Sequence, residues 1–178
     1  MKRISLALTA VAAVAVFGTT SSAQSTKPVS LGVSLGAAIP TGDFGDVYKT
    51  GYNGTVSLGL NSVGMPLGFR IDGMFNNFSG RDDLTSSRPD YRIIGANANI
   101  VYALPGTGMR PYLIGGAGIY GQKPDVSGAK NITDFGFNGG IGASFPLSGF
   151  NTFVEARFHH IMSDATTQFI PITFGISF

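Results

Sequence analysis

Cysteine is absent from this chain of 178 residues, and charged residues make up only 12% of it. After residue 23, no apolar run is long enough to cross a bilayer as a helix. Without cysteine, a disulfide framework and an acylated N-terminal cysteine are both excluded. Without a helical span, a membrane protein of this sequence has to cross the bilayer with β-strands.

The first residues have the organisation of an export signal. Two basic residues are followed by an apolar run over 4–17 and by small residues up to Ala23. A basic start, a short apolar segment and small residues at a cleavage site are typical of secretory signal peptides, whereas the alternative is a short buried helix. We therefore predict a signal peptide over 1–23, cleaved after Ala23, and one mature domain over 24–178.

The basic balance of the whole chain does not extend to this mature domain. Lys2 and Arg3 leave with the predicted signal, so ten basic residues remain against ten acidic ones. A formally neutral domain without a basic patch gives no reason to expect a nucleic-acid partner.

Eight segments of about ten residues alternate apolar side chains with small or polar ones. A period of two is typical of β-strands, because successive side chains point to opposite faces. Glycine and β-branched residues interrupt every candidate helix. The segments are 28–39, 51–61, 66–78, 91–104, 111–121, 134–145, 151–162 and 169–178. The pattern predicts an all-β fold, an eight-stranded antiparallel up-and-down barrel.

The connections between these segments alternate in length. Short ones lie at 62–65, 105–110 and 146–150, and mostly longer ones at 40–50, 79–90, 122–133 and 163–168. Outer-membrane barrels have short periplasmic turns and longer extracellular loops. A soluble lipocalin-like barrel is the alternative, but its outer face would be rich in lysine, whereas the polar phase here is mainly Gly, Ser, Asn and Ala. The pattern therefore favours a transmembrane barrel with its apolar phase in lipid.

Five charged or titratable residues fall in the polar phase of two strands. They are Arg70 and Asp72 in the third strand, and Glu155, Arg157 and His159 in the seventh. An ion in lipid is costly, so these groups are expected in the lumen, where the two cations and two anions form a neutral structural network. An eight-stranded barrel is just wide enough for side chains to fill. A gate or a hydrolytic site is the functional alternative.

The sequence contains no convincing catalytic, cofactor or metal motif. Glu155 and His159 are about 13 Å apart by strand rise, too far for a direct acid–base hydrogen bond. The glycines over 116–121 match G-x-G-x-x-G but are not followed by a helix. No closely spaced His, Asp and Glu cluster is present. We predict no enzymatic activity, no cofactor and no metal.

Three stretches resemble a known family. They are 38–44 after the first strand, 110–118 in the fifth and 153–160 in the seventh. Together with the strand pattern, the chain resembles the small eight-stranded outer-membrane β-barrel family, which includes OmpA-type transmembrane domains and opacity-type outer membrane proteins. The resemblance implies a Gram-negative-type outer membrane, with lipid and lipopolysaccharide around the barrel. Unlike OmpA itself, this chain is expected to lack a peptidoglycan-binding domain, because the sequence ends at Phe178.

The last strand resembles the C-terminal signal that the outer-membrane assembly machinery reads. Its apolar positions are Ile170, Ile172, Phe174, Ile176 and Phe178. A lipid A deacylase of this architecture would need a His-x-Ser motif, and the His-Ile-Met-Ser of 160–163 does not supply it.

The function expected from these observations is a structural or adhesion-like surface-interaction role of the extracellular loops, whose ligand the sequence does not identify. Surface loops on a rigid scaffold usually hold the variable chemistry, which directs attention to 79–90 and 122–133. The alternatives are a narrow channel for small or apolar solutes and, less favoured, an outer-membrane lipid hydrolase that uses Glu155 and His159.

Overall fold

The alternating segments form a closed antiparallel barrel in which strands that follow one another around the wall also follow one another along the chain. This confirms the predicted eight-stranded up-and-down architecture. The computed structural model describes residues 28–61, 65–83, 86–106, 108–126, 128–163 and 166–178. The predicted signal peptide, 1–23, lies outside the described residues. The barrel strands are β1 (Val29–Thr41), β2 (Gly51–Asn61), β3 (Leu67–Phe78), β6 (Tyr91–Ala103), β7 (Arg110–Pro124), β8 (Ile132–Pro146), β9 (Asn151–Ile161) and β10 (Thr167–Ser177).

The first and last strands close the barrel. β1 pairs with β10 from Thr41 opposite Gln168 to Gly32 opposite Ser177. Leu31 of β1 and Phe178, which follows the last residue of β10, exchange two backbone hydrogen bonds of 3.1 and 2.8 Å. Closure removes the unpaired strand edges through which an open sheet would aggregate.

The apolar phase of the strands points outward, as predicted for lipid contact. Leu35 is 74% exposed, Phe69 60% and Phe174 58%. Tyr52 and Tyr102 are also exposed and lie near opposite ends of the barrel wall, where aromatic side chains meet the membrane interfaces. An apolar outer face contradicts the lipocalin-like alternative, whose outer face would be polar. No helix among the described residues is long and apolar enough to span a membrane.

The connections 62–66, 104–109 and 147–150 at one end are short, and three of the four at the other end, 42–50, 79–90 and 125–131, are longer, whereas the fourth, 162–166, has only five residues. One prediction of loop length is wrong. β7 and β8 each contain 15 residues, so the third long loop is confined to 125–131 instead of 122–133. The extension pairs Gln122 with Ile132. The Gln122 amide also donates a 2.8 Å hydrogen bond to Asp134. Polar residues beyond the membrane therefore continue the strand ladder, and period-two hydropathy does not detect them.

Two small elements lie in the long loops. α1 (Gly42–Val47) begins where Gly42 adopts a left-handed φ of +59°, which favours glycine and ends β1. Phe44 of α1 is buried in the mouth of the barrel. In the second long loop, the two-residue strands β4 (Asp82–Asp83) and β5 (Ser86–Ser87) pair with each other. The sequence did not predict α1, because a six-residue helix depends on its tertiary contacts.

Candidate functional site

A network of four charges crosses the middle of the lumen. The Arg70 guanidinium contacts Asp72 (Nε–Oδ1 3.0 Å) and Glu155 (Nη2–Oε1 2.8 Å). The Arg157 guanidinium contacts Asp72 (Nη1–Oδ2 2.7 Å) and Glu155 (Nε–Oε1 2.9 Å). Each cation therefore contacts both anions, and the four side chains form a closed, formally neutral ring.

The position of the two strands explains why these charges meet. β3 and β9 are four strands apart in both directions around the barrel, so they face each other across the lumen. Within each strand the two charged residues are separated by one position and point inward together. We call the resulting wall-to-wall arrangement of Arg70, Asp72, Glu155 and Arg157 the crossbar.

Neighbouring strands complete the environment of the crossbar. The Asn99 amide donates a 2.9 Å hydrogen bond to Asp72 Oδ2, and the Tyr112 hydroxyl donates a 2.7 Å bond to Glu155 Oε2. Gly140 faces Arg157 across β8 and β9, and a Cβ at this glycine would lie 2.2 Å from the Ala156 carbonyl oxygen and 2.6 Å from Arg157 Cγ. The glycine thus leaves room for the arginine stem. Buried charges are stable only when they are paired and hydrogen-bonded in this way.

His159 does not join the crossbar, although its phase in β9 suggested that it would. It is fully buried one layer nearer the long loops. Its Nδ1 lies 3.0 Å from the Tyr120 hydroxyl, and its ring stacks on Phe169 with centroids 4.9 Å apart. Phe169 is the register partner of His159 on β10, so the two rings stack side by side on the lumen wall.

An aromatic layer, which the sequence pattern did not predict, fills the lumen towards the long loops. Phe44 packs edge-on against Phe78 with ring centroids 5.1 Å apart, and Phe78 packs against Phe169 at 5.5 Å. The buried apolar cluster at this level consists of Ala38, Phe44, Met74, Phe78, Ile93, Tyr120, Ile161 and Phe169. Strand parity could have identified Phe78, since it continues the inward series that contains Arg70 and Asp72.

Asparagine side chains supply much of the remaining polar interior. Asn53 donates a 2.7 Å hydrogen bond to Asn76, and Thr55 donates a 3.1 Å bond to Asn53. Tyr120 donates to Asn97. These short polar side chains fill the space between the crossbar and the aromatic layer, where the sequence indicated only a small-polar phase.

Above the aromatic layer, a cleft of about 290 Å³ opens at the long-loop end. Its lining residues, which define what we call the loop-end cleft, are Asp43, Phe44, Val47, Tyr48, Tyr91, Thr166 and Thr167. Burial raises the pKa of the Tyr48 hydroxyl, and the positive charge of Arg88 partly offsets that rise. A depression of about 370 Å³ on the outer wall is lined mainly by apolar side chains such as Leu58, Phe69 and Ile100.

The first long loop is held against the second at this end. Lys49 donates a 2.8 Å backbone hydrogen bond to Ser79, and Arg81 donates a 2.9 Å backbone bond to Val47. The Arg81 side chain donates to the carbonyls of Gly45 (3.2 Å) and Tyr48 (3.3 Å) at the end of α1. A guanidinium at a helix C-terminus satisfies carbonyls that have no partner within the helix.

The chemistry of the interior is limited. Both Glu155 oxygens already accept hydrogen bonds or contact guanidinium groups, and His159 contacts Tyr120 and Phe169. Within the described residues, no group of three or more His, Asp or Glu side chains could hold a metal ion.

A family model described as the outer membrane protein beta-barrel domain matches residues 9–178. The chain belongs to this family. The resemblance predicted from the sequence is thus confirmed, and the family points to the outer membrane as the location. No curated protein matches the chain by sequence.

Solved structures share the family fold at low sequence identity. Neisserial surface protein A is 14% identical with a TM-score of 0.69, over 86% of this chain and 98% of that one. Ail, the attachment invasion locus protein of Yersinia pestis, is 16% identical with a TM-score of 0.51, over 84% and 97%. The outer membrane enzyme PagL is 14% identical with a TM-score of 0.51, over 83% and 97%. One fold therefore carries a surface protein, an attachment protein and an enzyme, and the activity has to be argued from the site.

Proposed function

We propose that this barrel is a non-enzymatic surface-interaction protein that presents its long loops on a sealed scaffold. The observation that carries the proposal is the double obstruction of the lumen. The crossbar spans it from β3 to β9, and the aromatic layer around Phe44, Phe78 and Phe169 fills it nearer the loops. A lumen filled at two levels supports a role for the outside of the molecule over the transport of solutes.

The surroundings of Glu155 and His159 argue against a hydrolase. A general base has to reach the substrate proton within hydrogen-bond distance. Glu155 is held by Arg70, Arg157 and Tyr112, and His159 is covered by Phe169. A lipid substrate on the outer wall would have no access to either group.

The outer face and the final strand suggest the partners. We propose that outer-membrane lipid and lipopolysaccharide surround the exposed apolar wall. We also propose that the assembly machinery reads the outward series Ile170, Ile172, Phe174, Ile176 and Phe178. Phe174 and Phe178 are exposed on the lipid side, which makes them accessible to an outside receptor before the barrel is embedded.

Conductance in planar bilayers tests the sealed scaffold. The refolded protein should give no openings beyond those of a protein-free membrane. Discrete and reproducible openings would replace the proposal with the narrow-channel alternative.

Lipid A profiles of cells that overexpress the protein should also be unchanged, since a hydrolase would alter them.

An adhesion assay with a non-adherent bacterial expression strain tests the role of the loops. Bacteria displaying the protein should bind to target cells or to extracellular matrix, and replacement of loop 79–90 or 125–131 by a Gly-Ser linker should reduce this binding. Replacement of the short turn 147–150 is the matched control, because it lies at the opposite end of the barrel. Equal adhesion by loop and turn replacements, or by cells without the protein, would contradict the proposal.

A further inference from the structure

The loop-end cleft combines features that sealing the barrel does not require. We propose that it binds one neutral sugar ring, such as the terminal unit of a glycan at the cell surface. This inference rests on the surface-interaction function proposed above and names the ligand class of that surface.

The floor of the cleft is a cluster of three aromatic rings. Phe44 lies 4.6 Å from Tyr48 and 5.5 Å from Tyr91, and the two tyrosine rings are 5.2 Å apart, all between centroids. Aromatic faces carry a negative quadrupole that attracts polarised C–H groups. A ligand with a C–H-rich face fits such a floor, and a sugar ring has one.

Polar groups stand beside the aromatic floor. Asp43 lines the cleft from α1, Thr167 lines it from the first position of β10, and Thr166 lines it from the position before that strand. A carboxylate accepts strong charge-assisted hydrogen bonds from hydroxyl donors. An apolar floor with a few convergent polar groups is the usual composition of a small-molecule site, and about 290 Å³ is at the small end of such pockets.

The charges around the cleft favour a neutral ligand. Because their centroids are 4.6 to 5.5 Å apart, the three rings contact one another and do not form an open aromatic cage around an organic cation. The positive charge of Arg88 acts on Tyr48 and opposes a cation further. Asp43 within the cleft opposes an anionic ligand.

The backbone around the cleft is positioned before any ligand arrives. Hydrogen bonds between 47–49 and 79–81, with the Arg81 side chain at the end of α1, hold the first loop in place. Phe44 is buried in the aromatic layer below. Such preorganisation lowers the ordering cost of binding.

Saturation-transfer difference NMR on the full mature protein in nanodiscs tests the proposal. The probes are methyl β-D-galactopyranoside, methyl α-D-glucopyranoside and the methyl glycoside of N-acetylglucosamine. Choline chloride and glucose 6-phosphate serve as the cationic and anionic comparisons. The expected result is saturation of the ring protons of at least one neutral glycoside, above that of both charged probes.

Variants locate any such binding. Asp43→Asn should weaken it about tenfold, because it removes a charged acceptor, and Tyr91→Leu should abolish it. Asp46→Asn, which is exposed on the same helix outside the cleft lining, and the lipid-facing Tyr52→Leu should leave it unchanged. If Tyr91→Leu does not refold, Asp43→Asn decides, since Asp43 is exposed.

Three outcomes would overturn the inference: no saturation of any neutral glycoside, stronger saturation of choline or glucose 6-phosphate, or equal effects of Asp43→Asn and Asp46→Asn. These results are independent of the conductance and adhesion measurements. A sealed, adhesive barrel that binds no sugar would refute only the ligand class, whereas a conducting barrel would refute the proposed function itself.

Discussion

Removing one arginine from the crossbar is the most direct test of its energetic role. Arg157→Ala deletes contacts of 2.7 Å to Asp72 and 2.9 Å to Glu155 and leaves two buried carboxylates with one guanidinium. The side chain of Asp72 is 0% exposed, so water cannot replace the lost partner. Breaking a buried ion pair costs about 3–5 kcal/mol.

The remaining contacts put the expected loss at the lower end of that range. Asp72 keeps Arg70 and Asn99, and Glu155 keeps Arg70 and Tyr112. We therefore expect Arg157→Ala to lower the free energy of unfolding by roughly 3 kcal/mol. Urea unfolding in lipid vesicles, followed by far-UV circular dichroism, measures this loss in a chain that has no tryptophan.

Two further variants decide whether charge is the cause. Arg157→Ala combined with Glu155→Gln restores a neutral lumen and should regain at least about 1 kcal/mol over the sum of the single losses. Arg92→Ala, which breaks a half-exposed ion pair of 3.6 Å to Asp125, should cost less than about 1 kcal/mol. An Arg157→Ala protein with the wild-type midpoint, or a double variant without recovery, would refute the reasoning.

Three other substitutions test neighbouring features. Gly140→Ala should destabilise the barrel by about 1–3 kcal/mol, because the added Cβ would lie 2.2 Å from the Ala156 carbonyl oxygen and 2.6 Å from Arg157 Cγ. Gly139→Ala, whose nearest contact would be 3.9 Å away on the lipid side, should be neutral in the same urea titration. Equal effects of the two would contradict the close approach. Arg81→Ala should speed chymotryptic cleavage after Tyr48, since the Arg81 side chain holds the end of α1, and Arg92→Ala is the control. Unchanged cleavage would mean that the backbone hydrogen bonds are sufficient to hold the first loop in place. Phe178→Ala should reduce membrane yield more than Phe174→Ala does, and equal yields would remove Phe178 from the assembly signal.

The barrel itself could be predicted because the environments on the two faces of its wall differ so strongly in polarity. Lipid outside and a narrow polar lumen inside impose period-two alternation on every membrane-spanning segment, and residues such as Leu35 and Asp72 follow it. Beyond the membrane this constraint ends. The strand ladder between Gln122 and Ile132 therefore continued where a loop was predicted.

The interior could be predicted only in part. Parity directs Arg70 and Arg157 inward, and strand order sets β3 opposite β9, so a meeting of charges was expected from the sequence. The position of His159 against Phe169 depends on side-chain packing that parity does not specify. Phe44 could not be assigned because its burial depends on α1 and on the attachment of that helix to the second loop.

The pairing of β1 with β10 determines when the barrel can close during biogenesis. It joins residues that are about 130 or more positions apart in the sequence. Bringing such distant residues together costs conformational entropy, and this cost can be offset only when nearly the whole domain is present. A nascent chain that lacks its final segment would form a curved open sheet with two unpaired edge strands, which are prone to aggregate. The barrel can consequently close only after the last strand has been synthesised, because β10 supplies the partner of β1.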